Sequence, residues 1–90
     1  MTYETVTSLP GADVLHRAKK FFQERVPNNA AFPEKEGPTW LSLRGQGGEE
    51  IVLSVAGADG ATRVRASTLF FDQAVGRFFS TLPAAREGAA

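Results

Sequence analysis

The segment from Thr39 to Pro83 constrains this chain more than any other. Three runs of alternating apolar and polar residues, joined by two glycine turns, lead into a short amphipathic stretch ended by a proline. Alternation at period two sends successive side chains to opposite faces of a strand. Thr39–Arg44 therefore sets Leu41 and Leu43 against Trp40, Ser42 and Arg44. Glu50–Ala56 sets Ile51, Leu53 and Val55 against Val52, Ser54 and Ala56. Thr62–Leu69 sets Val64, Ala66 and Thr68 against Arg63, Arg65 and Ser67. Gly45-Gln46-Gly47-Gly48 and Ala58-Asp59-Gly60 are the turns, and Asp-Gly tolerates the positive φ that tight hairpins require.

Thr2–Thr7, rich in threonine and valine, predicts a first strand. Ser8-Leu9-Pro10-Gly11-Ala12-Asp13 predicts a helix start: serine can cap, proline is preset for the first turn, and aspartate favours the helix dipole. Val14, Leu15, Ala18, Phe21, Phe22 and Val26 then share one face at helical spacing, and Pro27-Asn28-Asn29 stops the helix. Residues 27–38, with three prolines and a Glu-Lys-Glu run, predict a crossover loop that Phe32 pins to the core, with a lid as the alternative. Asp72 is the expected cap of a second helix, whose stripe is Phe71, Val75, Phe78, Phe79 and Leu82 and whose terminator is Pro83.

The predicted order is β-α-β-β-β-α. It reads as an α+β two-layer sandwich: a four-stranded antiparallel sheet in the order 2-3-4-1, the first strand beside the last, with two helices on one face. Residues 1–83 form one domain in this reading, and 84–90 a disordered tail.

Ten basic and ten acidic residues cancel, so no net field draws the chain to nucleic acid or to an anionic membrane. With no cysteine, disulfides, thiolate chemistry and cysteine metal sites are excluded, which fits a reducing cytoplasm. The first residues show neither a basic nor an apolar leader pattern, and no apolar run approaches the ~20 residues that span a bilayer.

Two stretches carry a family likeness. Ser8-Leu9-Pro10-Gly11-Ala12-Asp13-Val14 resembles the opening of the first helix in the START-related, helix-grip (SRPBCC-like) group of lipid and polyketide binders. Gly60-Ala61-Thr62-Arg63-Val64-Arg65 resembles the strand before that group's last helix. The resemblance implies an apolar ligand held between helices and sheet. It covers about a seventh of the chain, and the group's seven strands and long closing helix exceed what four strands and a short helix supply. No site residue carries over.

Catalytic equipment is sparse. His16, the only histidine, lies opposite the apolar stripe of its helix and lacks a partner for a metal site, so a solvated surface residue is expected. No serine lies in a Gly-x-Ser-x-Gly elbow. The glycine turns precede strands, whereas phosphate cradles need a following helix N-terminus. Glu34/Glu36 and Glu49/Glu50 read as solubilising charge. No cofactor is expected.

The outward sheet face is where function is expected. Trp40, Arg44, Val52, Arg63 and Arg65 project there with no element left to cover them, which predicts a self-association or protein-docking surface. Arginines with one aromatic also resemble a single-strand stacking platform, but such platforms use several aromatics and a basic field. The alternative is a small apolar-ligand pocket around Phe22, Phe32 and Phe78.

Overall fold

The computed structural model describes residues 1–24 and 31–84. Its elements are β1 (Thr2–Thr7), α1 (Gly11–Glu24), β2 (Ala31–Glu36), β3 (Trp40–Gly45), β4 (Glu50–Ala58), β5 (Ala61–Thr68) and α2 (Asp72–Ser80). The five strands form one antiparallel sheet in the order β1-β5-β4-β3-β2. The predicted four-stranded sheet ordered 2-3-4-1 is thereby corrected. An additional strand, β2, lies within the segment read as a crossover loop.

Its composition hid it. Only Ala31 of β2 is buried, so no apolar alternation marks the strand. Pro33 sits at a register shift, the pairing passing from Pro33↔Leu43 to Lys35↔Ser42. Edge strands tolerate proline because one side of the backbone has no neighbour. The Gly37 N–H donates to the Trp40 carbonyl, which closes the β2–β3 hairpin. Phe32 does not pin this segment to the core. It lies across from Arg44 on the face away from the helices and is 48% exposed.

Both helices cover one face. Val14, Leu15, Ala18 and Phe22 of α1, with Phe71 and Ala74, Val75 and Phe78 of α2, pack in one cluster with Leu41, Leu43, Ile51, Leu53, Val55, Val64 and Ala66. Phe21, Phe22 and Phe78 meet with ring centroids 5.2–5.6 Å apart, joining the two helices. Burying a phenylalanine side chain stabilises by about 1.5–3 kcal/mol, so this trio is a large share of the helix–helix contact. Residues 25–30, which include Val26 and the expected helix stop, lie outside the described residues, as does 85–90 of the expected tail.

Two local expectations change. Asp72 is the first residue of α2 and does not cap it; Phe71 occupies the N-cap position without a side-chain cap. The Asp72 carboxylate instead accepts a hydrogen bond from Tyr3 Oη at 2.5 Å. The β4–β5 turn does carry positive φ at Asp59 (50°) and Gly60 (81°), a left-handed pair that an Asp-Gly dipeptide accommodates.

Candidate functional site

Strand register fixes which side chains share the open face. One row across it runs Trp40, Ser54, Arg65, Glu4. A second runs Lys35, Ser42, Val52, Ser67, Thr2. A third holds Phe32, Arg44 and Glu50, and a fourth Ala56, Arg63 and Val6. All five residues expected on the interaction surface therefore occupy one face, spread over three strands.

They differ in what they have free. Arg44 is committed. Its Nε and Nη2 donate to the two Glu34 carboxylate oxygens at 2.7 and 3.0 Å, Nη1 donates to the Gly48 carbonyl at 2.8 Å, and Glu50 lies 3.7 Å away. Two parallel N–H···O⁻ bonds hold the guanidinium in a fixed plane. They keep the Glu34 carboxyl below its ordinary range and push the Arg44 guanidinium up, the hydrogen bond being the largest cause for each. Arg65 has a looser partner, Glu4 at 3.8 Å, both side chains more than half exposed. Arg63 is exposed and has no ion-pair partner among the described residues.

Trp40 is 38% exposed, as is Val52. The indole lies over the backbone of Gly37: a Cβ built there would stand 2.2 Å from Trp40 Nε1. Glycine at 37 is what lets the ring settle against the β2–β3 turn. Ser42, although on the open side, is buried and donates to Glu50 Oε2 at 3.1 Å.

The sequence reading missed the most exposed apolar pair. Leu69 and Phe70 are 77% and 74% exposed, and Met1 beside them 70%. With Val52, Arg44 and Glu50 they line an open cleft of about 330 Å³ at one end of the face. Their position follows from Thr68, whose hydroxyl accepts the Phe71 N–H at 3.2 Å and ends β5 in a tight turn. The turn returns Phe71 to the core and leaves its two predecessors outside. A signal was present: Leu69-Phe70-Phe71 is a run of three large apolar residues where the helix stripe needs one.

The three residues of the alternative pocket do not converge. Phe22 and Phe78 are fully buried against each other with centroids 5.6 Å apart, while Phe32 projects from the opposite side of the sheet. A separate cleft of about 320 Å³ lies at the mouth between the helices, bordered by Arg17, Lys20, Phe21, Glu24, Phe78 and Thr81. His16 is exposed on α1. Among the described residues no three His, Cys, Asp or Glu side chains stand close enough to hold a metal ion, and no helix is long and apolar enough to cross a membrane.

Compared with known proteins, the chain matches no family model, no curated protein and no solved structure.

Proposed function

We propose that this chain is a non-enzymatic protein-interaction module that docks through its open sheet face, with a second copy of itself as the first partner to test. One observation carries the reading. A sheet face holding Trp40, Val6, Val52 and Phe32 continues into Met1, Leu69 and Phe70, with none of the described elements over it. Folded monomers seldom leave large apolar side chains grouped in this way, and such groups mark contact surfaces. The pairing of Arg44 with Glu34 and of Arg65 with Glu4 lowers the cost of covering this face, because few charges lose water without a partner. The lack of cysteine supports a cytoplasmic location in this reading, since it fits a reducing compartment.

Sedimentation of the purified chain tests it. Trp40→Ala and Arg65→Glu are expected to lower the association constant while circular dichroism stays unchanged. Unaltered sedimentation in both variants would count against docking through this face.

The second reading, a START-like binder of a small apolar ligand, draws on the cleft between the helices. Phe21, backed by the buried Phe78, supplies an aromatic wall there, and Arg17 and Lys20 a cationic rim suited to the carboxylate of a fatty or aromatic acid. A rise in melting temperature on adding such acids supports it. No shift at millimolar acid removes it.

A further inference from the structure

The two edges of the sheet are built differently. Met1 is hydrogen-bonded to Thr68 through both its amino nitrogen and its carbonyl. Antiparallel ladders alternate, so Tyr3, Thr5 and Thr7 also direct their backbone groups at β5, while those of Thr2, Glu4 and Val6 point away from the sheet. At the other edge, Trp40 accepts from Gly37, so the residues opposite Arg44 and Ser42, namely Phe32 and Lys35, face β3. Pro33 then lies where an amide would face outward and supplies no donor. The register shift beside it and the charges of Glu34 and Glu36 further blunt that edge. β1 has no proline, no lysine and no register shift, and among the described residues only Ala84 lies alongside it, at Thr7.

We infer that the outer edge of β1 pairs antiparallel with β1 of a second copy, with the two-fold axis passing at Tyr3. Outward groups must meet outward groups, so a symmetric pair that joins at least two of Thr2, Glu4 and Val6 on each copy, for four or more backbone hydrogen bonds, has three registers. An axis at Glu4 sets two glutamates directly opposite each other, which is repulsive, and brings Met1 against Thr7 of the other copy, where Ala84 already sits. An axis at Thr5 sets Tyr3 against that same blocked Thr7. An axis at Tyr3 matches Thr2 with Glu4 of the other copy in both directions and forms four backbone hydrogen bonds. It leaves Val6, Thr7 and Ala84 clear. Each Glu4 then faces a threonine and keeps Arg65 of its own chain. This contact is separate from the open face: it would join two five-stranded sheets into one of ten and lengthen that face without covering it.

The test combines sedimentation with a cross-link. In Trp40→Ala protein, where docking through the open face is weakened, a concentration-dependent dimer is expected to remain. Adding Glu4→Pro removes an outward donor without touching the bonds to β5, and the dimer dissociation constant is expected to rise about tenfold or more. The chain has no cysteine, so Tyr3→Cys introduces one thiol. Opposed residues of a non-hydrogen-bonded pair stand about 4.5 Å apart at Cα, within disulfide reach, and mild oxidation is expected to yield a covalent dimer. Gln73→Cys, exposed on α2, is expected to stay monomeric. A Trp40→Ala protein that is monomeric at the highest attainable concentration, or a dimer indifferent to Glu4→Pro, overturns the edge contact. So does protection of the β1 amides that arises only with an added extended peptide. Each of these outcomes leaves the open-face reading to its own variants.

Discussion

Tyr3 on β1 and Asp72 at the start of α2 lie 69 positions apart in the chain, yet the tyrosine hydroxyl donates to the aspartate Oδ1 at 2.5 Å. One hydrogen bond thus fastens the first strand to the last helix. It raises the Tyr3 phenol above its ordinary value of 10.0, chiefly through that bond and then through burial and the aspartate charge.

This fastening predicts an alkaline loss of stability. The folded state disfavours the phenolate, so the contribution is complete below pH 10.0 and disappears as pH rises through the higher folded value. Thermal unfolding followed across that range is expected to show a falling melting temperature. Tyr3→Phe should begin lower and lose that part of the slope; an unchanged slope would remove Tyr3 as its source.

On the acid side the group to follow is Glu34. Its carboxyl is held below 4.5 by the Arg44 hydrogen bonds, so its contribution is complete above that value and is lost as pH falls through the folded one. Hydrogen exchange of the β2 amides is expected to accelerate in that acid window. In Glu34→Gln the window closes and β2 exchanges faster at neutral pH. Equal β2 protection in both proteins at every pH would exclude the pair as a clamp on this edge.

Adjacent phenylalanines should respond in opposite ways. Phe70 is 74% exposed and Phe71 5%. Phe70→Ser is expected to change unfolding free energy by no more than about 0.5 kcal/mol, in keeping with surface substitutions. Phe71→Ser leaves a cavity and a buried hydroxyl, at a cost of about 3 kcal/mol or more. Urea titrations of the two variants decide it, and comparable losses in both would refute the placement of the β5–α2 turn.

The aromatic trio predicts the largest loss. Phe22 is fully buried and contacts Phe21 and Phe78. Phe22→Ala is expected to remove about 3–5 kcal/mol, a large fraction of the 5–15 kcal/mol typical of a whole domain. A loss below about 1 kcal/mol in urea unfolding would mean that this ring is not packed at the centre.

Much of the architecture was readable because it depends on local periodicity. The alternation of Leu41 and Leu43, of Ile51, Leu53 and Val55, and of Val64 and Ala66 marks three strands and the face each buries. The spacing of Val14, Ala18 and Phe22 marks α1 in the same way. The β2 strand was not readable, because an edge held by backbone pairing and surface ion pairs leaves no apolar period behind. Phe32 misled for the same reason: a lone aromatic in polar surroundings suggests an anchor, and only its register against Arg44 puts it outside. In the candidate site, the common face of Trp40, Arg44, Val52, Arg63 and Arg65 followed from period two. That Arg44 is already held by Glu34 did not, since Glu34 stands on a strand with no sequence signature.

By itself, the order of residues determined the amphipathic elements, the side each turns inward, and the left-handed Asp59-Gly60 turn, because each rests on interactions within a few positions. Tertiary structure alone decided that β2 completes the sheet, that Leu69 and Phe70 stand in water while Phe71 does not, and that Asp72 accepts from Tyr3 and caps nothing. Those outcomes depend on which distant backbone groups and side chains become neighbours. No local pattern encodes that choice, because the free energy that selects it comes from the assembled core and the completed ladder.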